Sequence, residues 1–174
     1  GESVEPVQKA INVMGLVAKA EDGDARACVK LGDFYSEDGM ATGTNENKAF
    51  FYYRKGAELN PADPYAAMRV GDCYFTGKGV RKDLDTATAW MGVAAQNGSQ
   101  YGCYFLGTLQ VQRHTKEECE TKSLLAAYWY EQMAKSSLPD AVEGSVEDAN
   151  EWLNKNARTK LKRKRDSDVV NLVD

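Results

Sequence analysis

Four cysteines, one histidine and 26 carboxylate side chains are the groups from which catalysis or metal binding would have to be assembled in this chain. The cysteines are Cys28, Cys73, Cys103 and Cys119, and no two of them stand at a C-x-x-C spacing. A structural zinc site draws on closely spaced Cys and His ligands, and the single His114 offers no second imidazole. His114 lies in a charged stretch with Thr115 and Glu117, which reads as a solvated turn rather than as a general base beside a nucleophile. Gly77 and Gly79 flank a lysine in a turn and do not form a phosphate-cradling loop. The acids are scattered along helix faces in the ordinary solvated pattern. We therefore expect no catalytic residue, no metal and no cofactor, and we read the cysteines as reduced, intracellular and mostly buried as small hydrophobes.

The elements around these side chains are bounded by size. A chain of 174 residues with 43% hydrophobic content can bury one core. No run approaches the roughly 18 consecutive apolar residues of a membrane span, so no membrane partner is expected. No basic segment followed by an apolar core and a cleavage site stands near Gly1, and a secretory leader is not expected within these residues.

A repeat organises the rest. Ala20, Ala57, Ala95 and Ala134 each close an apolar helical run, at gaps of 37, 38 and 39 residues. Leu31-Gly32, Val70-Gly71 and Leu106-Gly107 recur 39 and 36 residues apart, each with a small residue five positions before its glycine, at Ala27, Ala66 and Gly102. Eight residues before three of the closing alanines stand Ala49, Ala87 and Ala126, and an aromatic follows three later at Tyr52, Trp90 and Trp129. Each unit reads as two antiparallel helices whose small residues permit close approach, with these aromatics filling the gap to the next unit and Trp90, read as buried, more important to stability than any surface residue. In the middle unit Tyr65 to Phe75 forms the first helix, Gly77-Lys78-Gly79 the turn, Asp83 an N-cap and Gly98 a left-handed stop. The first unit has a longer turn from Asp38 to Glu46, and the third a charged one from His114 to Lys122. Residues 5–20 read as a lone second helix. Ser145-x-x-Asp148 opens a capping helix over residues 145–160, in which Ala149, Trp152 and Ala157 restate the spacing of Ala87, Trp90 and Ala95. The fold class is all-α: an α/α superhelical solenoid of about three two-helix repeats with partial terminal capping helices over residues 1–160, followed by a linear tail over 161–174.

The middle unit, Val70-Gly71-x-x-Tyr74-x-x-Gly77-x-Gly79-Val80-x-x-Asp83, then Ala87-x-x-Trp90 and Ala94-Ala95-x-x-Gly98, resembles the Sel-one-like repeat family of the tetratricopeptide-like superfamily. The likeness covers roughly residues 8–158. The first unit keeps Leu31-Gly32-x-x-Tyr35 and loses the Gly-x-Gly turn, while the third has Gln110 where a tyrosine is expected. The resemblance implies a non-enzymatic scaffold or adaptor whose first helices line a concave groove for a protein or peptide. Residues four apart share a helix face, which places Arg26, Lys30, Asp33 and Glu37, then Tyr65, Arg69 and Asp72, then Tyr101, Phe105 and Thr108 along that groove. Arg26, Lys30, Tyr65, Arg69, Tyr101 and Phe105 are the candidate partner-binding residues, with Phe105 equally readable as core.

Composition shifts after Asn154. Residues 155–165 carry seven of the 22 basic side chains and no acid, leaving residues 1–154 with 15 basic against 23 acidic, a formal charge of −8. That body repels nucleic acid. Lys162-Arg163-Lys164-Arg165 resembles a nuclear import signal read by importin, against the alternatives of cations on a helix end or a nucleic-acid contact. The acid-flanked run containing Val169, Val170, Leu172 and Val173 resembles a motif that adds as a strand to the small ubiquitin-like modifier, SUMO, or else packs on the solenoid. The expectation is a nuclear or nucleocytoplasmic adaptor. The alternatives are a secretory-pathway or bacterial interaction module of the same family, and a nucleic-acid-associated protein using the basic tail. A far-ultraviolet circular-dichroism spectrum of the chain is expected to show helix without a strand component, and a substantial strand signal would contradict the repeat reading.

Overall fold

The computed structural model describes residues 4–36, 45–112, 126, 128–133, 135, 145–152 and 154. They form α1 (Val4–Glu21), α2 (Ala25–Ser36), α3 (Glu46–Leu59), α4 (Pro64–Thr76), α5 (Leu84–Gln96), α6 (Gln100–Gln112), α7 (helical at 126, 128–133 and 135) and α8 (Ser145–Trp152). No strand occurs among the described residues. The chain divides into two compact units, Gly1–Asn97 and Gly98–Asp174.

The helix ends lie where local chemistry puts them. Asn45 accepts from Lys48 N at 3.0 Å to start α3, and Asp63 accepts from Tyr65 N and Ala66 N ahead of Pro64 in α4. Asp83 caps α5 through Asp85 N and Thr86 N. Each cap satisfies amide donors that an α-helix leaves without an internal acceptor. Gly77 ends α4 at φ +83°, and Gly98 follows α5 at φ +96°. The turn at 38–46 is outside the described residues up to Asn45, and the turn at 114–122 lies wholly outside them.

Within the first unit the hairpins close on the recurring glycines. A Cβ on Gly32 of α2 would fall 2.9 Å from Cγ of the Tyr53 ring in α3, and one on Gly71 of α4 would fall 3.1 Å from Met91 Cε in α5. The second unit repeats the contact, with Gly107 of α6 facing Tyr130 of α7 at 2.9 Å from Cζ. The alanines of the period are buried with them: Ala49, Ala57, Ala87 and Ala95 in the first unit, Ala126 and Ala149 in the second. Successive hairpins of the first unit are joined by three further contacts. Lys55 Nζ of α3 donates to Ala20 O at 2.8 Å, satisfying a carbonyl at the end of α1. Tyr52, stacked on Tyr35 at 5.7 Å within its own hairpin, packs on the cluster of Ala27, Cys28 and Leu31 with Ala20 of α1, and Trp90 packs on the cluster of Ala49, Tyr53, Val70 and Cys73. Gly79, at φ +70°, lays the α4–α5 turn against the start of α3, where a Cβ would meet Glu46 C at 2.5 Å.

One expectation is corrected. Trp90 fills the gap between hairpins but is only partly buried, whereas Tyr53 is 1% exposed. The position four residues after the period alanines, at Tyr53, Met91 and Tyr130, is buried because it meets the glycine across the hairpin. Ala134, Ala157 and Cys119 lie outside the described residues. Truncating a buried aromatic costs about 3–5 kcal/mol. We expect Tyr53→Ala to lower the urea midpoint of the full chain by more than Trp90→Ala does, and Gly79→Ala to destabilise through both φ and the collision with α3. A larger loss at Trp90 than at Tyr53 would contradict this packing.

Candidate functional site

On the first-helix face of the first unit, α2 and α4 run side by side with α3 between them, and a polar network ties the three together. Tyr53 Oη, from the middle helix, donates to Asp33 Oδ1 of α2 at 2.8 Å, and Tyr65 Oη of α4 donates to the same oxygen at 2.9 Å. Arg69 Nη2 donates to Ser36 Oγ at 3.0 Å and also to Tyr53 Oη, while Arg69 Nε stands 3.6 Å from Asp33 Oδ1. The guanidinium lies over two rings, 4.7 Å from the centroid of Tyr53 and 5.9 Å from that of Tyr65. Asp33 thus serves two phenols and a cation with one oxygen. A half-buried ion pair held by this many hydrogen bonds sets the relative placement of its helices.

The electrostatics follow from burial. Desolvation pulls the Arg69 pKa down, but the hydrogen bond to Tyr53 and the neighbouring Tyr65 and Asp33 more than offset it, so the guanidinium stays charged. Burial pushes the Tyr53 phenol far above its ordinary value against the opposing hydrogen bonds to Ser36 and Arg69. A cleft of about 80 Å³ opens beside the network, lined among others by Ser36, Arg69, Asp72, Cys73 and Lys78. Burial raises the Cys73 thiol to about 11, above its model-compound 9.0. A nucleophilic cysteine needs the opposite shift, so Cys73 is a packing residue. Cys28 and Cys103 are likewise buried, and no group of three or more metal-ligating side chains occurs among the described residues.

Four of the six sequence-predicted groove residues fall on α2 and α4. Arg26 and Lys30 are exposed and make no hydrogen bond, ion pair or ring contact among the described residues. Tyr65 is 38% exposed, with its hydroxyl bound to Asp33. The Arg69 side chain is 27% exposed and is built into the network. In the second unit Tyr101 and Phe105 are partly buried on α6, each with partners of its own. There Tyr104 lies 6.3 Å from Tyr130, and Gln100 Nε2 donates to Met133 O at 3.3 Å. Lys162 to Arg165 and Val169 to Val173 lie outside the described residues, as does His114. Tyr53 and Ser36 complete the network and were not anticipated. Tyr53 was traceable as the residue one helical turn after Ala49, whereas Ser36 carried no signal of its own.

The Sel1 repeat family signature matches residues 25–61, 64–99 and 101–138, and the chain belongs to the Sel1 repeat family. Sel1 repeats are in general protein-interaction scaffolds and typically non-catalytic. Among solved structures the chain is similar to a Sel1 repeat protein from Oxalobacter formigenes, at 27% identity and a TM-score of 0.58, over 69% of this chain and 87% of that one. It is also similar to c5321, a protective antigen of uropathogenic Escherichia coli strains with the same repeat fold, at 23% identity and a TM-score of 0.58, over 88% of this chain. The match spans 35% of that antigen's length. No curated protein sequence matches the chain. The fold class is thus the helical-hairpin solenoid of this family, and no described helix is long and apolar enough to cross a membrane.

Two outcomes follow for the network. Tyr53→Phe leaves Arg69 and Asp33 each short of a hydrogen bond and is expected to cost about 1–3 kcal/mol, whereas Arg26→Ala, on an exposed unpaired side chain, is expected to stay within about 0.5 kcal/mol. Because the Cys73 pKa is raised in the fold, its contribution is complete below its ordinary value and is lost as pH rises through about 11. Urea midpoints under reducing conditions are expected to fall over that alkaline window, and to fall less in Cys73→Ala. An unchanged pH dependence in that variant would contradict the assignment.

Proposed function

We propose that this chain is an adaptor that holds a partner segment along its first-helix face and presents its C-terminal tail to further partners. The observation that carries the reading is the contrast on that face between Arg69, fixed by Tyr53, Ser36 and Asp33, and Arg26 and Lys30, exposed and unengaged. Fixed aromatic and arginine groups beside unpaired cations form a surface prepared for a ligand. Tyr101 and Phe105 are the corresponding candidates on α6. For the tail, Lys162 to Arg165 is the run importin would read, and Val169, Val170, Leu172 and Val173 supply a segment for strand addition to SUMO, in a nuclear or nucleocytoplasmic protein. Sequence alone supports these tail assignments. The bacterial-module alternative draws support from the sources of the two similar structures, Oxalobacter formigenes and Escherichia coli.

Charge reversal at Arg26 and Lys30 together is expected to abolish partner capture by the full chain while leaving its melting temperature unchanged. Arg69 is left intact because its loss would disturb three helices. Retention of every partner by the folded double variant would contradict the assignment of this face. For the tail, replacing Lys162 to Arg165 with alanine is expected to remove nuclear enrichment of a fluorescent fusion, and unchanged enrichment would exclude the import role.

A further inference from the structure

We infer that the segment taken by the α2–α4 face of the first unit is extended and acidic, with carboxylates two residues apart. This rests on the proposal that the face is a binding surface and adds the chemistry of its ligand. The unengaged cationic donors on that face lie on α2. Arg26 brings five N–H donors and Lys30 three, none of them engaged among the described residues. Arg69 spends Nη2 on Ser36 and Tyr53, and its Nε is buried 3.6 Å from Asp33 Oδ1, so the donors open to a ligand are chiefly those of Arg26 and Lys30. The acid between these cations is occupied, since Asp33 Oδ1 accepts from both Tyr53 and Tyr65. Asp24, at the start of α2, accepts from Ala27 N at 3.1 Å. A ligand that satisfies this surface must therefore bring acceptors, and carboxylates add charge–charge attraction and a geometry that matches the guanidinium fork.

Charge and geometry narrow the class further. Residues 1–154 carry a formal charge of −8, which works against a long polyanion such as nucleic acid but little against a short segment with two or three carboxylates. Arg26 and Lys30 are one helical turn apart, a rise of about 6 Å along α2. Two residues of extended chain advance about 6.6 Å. Acids at alternate positions of an extended segment thus meet the two cations in step, whereas acids three apart, about 10 Å, overshoot. The guanidinium of Arg69 is already held against two rings, so little side-chain entropy is lost when it meets a further carboxylate, and the exposed Tyr65 ring offers an apolar contact beside it.

The test is a titration of isotope-labelled full chain with three synthetic octapeptides, one carrying a Glu-Val-Glu triplet, one Gln-Val-Gln and one Glu-Val-Val-Glu. The Glu-Val-Glu peptide is expected to move amide resonances of α2 and α4, to bind about tenfold more tightly than the other two, and to lose that advantage in high salt and in the Arg26→Ala, Lys30→Ala double variant. Equal affinity for the Glu-Val-Glu and Gln-Val-Gln peptides, both shifting α2 and α4, overturns the acidic preference and leaves the binding face standing. Equal affinity for the two glutamate spacings overturns the register. Absence of shifts on α2 and α4 with all three peptides overturns both the acidic preference and the binding face.

Discussion

The contact between a first-helix glycine and a side chain four residues beyond a second-helix alanine is the interaction on which the remaining structure depends. Glycine inside a helix costs about 0.5–1 kcal/mol relative to alanine, and Gly32, Gly71 and Gly107 carry that cost in three successive first helices. The return is close approach: the Tyr53 ring occupies the space where a Gly32 Cβ would stand, and Tyr130 does the same at Gly107. With the backbones drawn together, Ala49 and Ala57 are buried in one cluster with Tyr53 and Val70, and Val29 reaches Gly56 on the opposite helix.

The same tyrosine connects packing to function. Its ring fills the hairpin, and its hydroxyl emerges between α2 and α4 to meet Asp33, Ser36 and Arg69. A core residue thereby fixes the orientation of an arginine on the surface assigned to the partner. Lys30 and Arg26, about one and two turns before Asp33 on α2, have no such restraint among the described residues. The face therefore combines one ordered cation with two unrestrained ones, and in the proposed complex the ordered one would limit the entropy lost on binding.

Much of the fold was legible because repetition multiplies weak signals. Caps at Asp83 and stops at Gly77 and Gly98 are local chemistry, readable from a few residues. The aromatic register was harder to read. Tyr52, Trp90 and Trp129 share a chemical type three residues after the alanines, while the enclosed set, Tyr53, Met91 and Tyr130, is chemically mixed because methionine replaces a ring in the middle unit. Similarity of type drew attention to the positions between hairpins, and only the glycine across the hairpin distinguishes the more deeply enclosed set. Helical spacing put Tyr65 and Arg69 on one face of α4. It could not reveal that Arg69 is engaged, since Tyr53 and Ser36 come from other helices.

The glycine-to-tyrosine contact is tested most directly by a double-mutant cycle on Gly32 and Tyr53, read by urea unfolding of the full chain. Gly32→Ala alone is expected to destabilise, because the added methyl displaces the ring. In a Tyr53→Ala background the collision is gone, and the same substitution is expected to be neutral or to stabilise by about 0.5–1 kcal/mol from helix propensity. The two substitutions are thus expected to couple by more than about 1 kcal/mol. Strict additivity, with Gly32→Ala equally damaging in both backgrounds, would contradict the claim that this contact closes the hairpin.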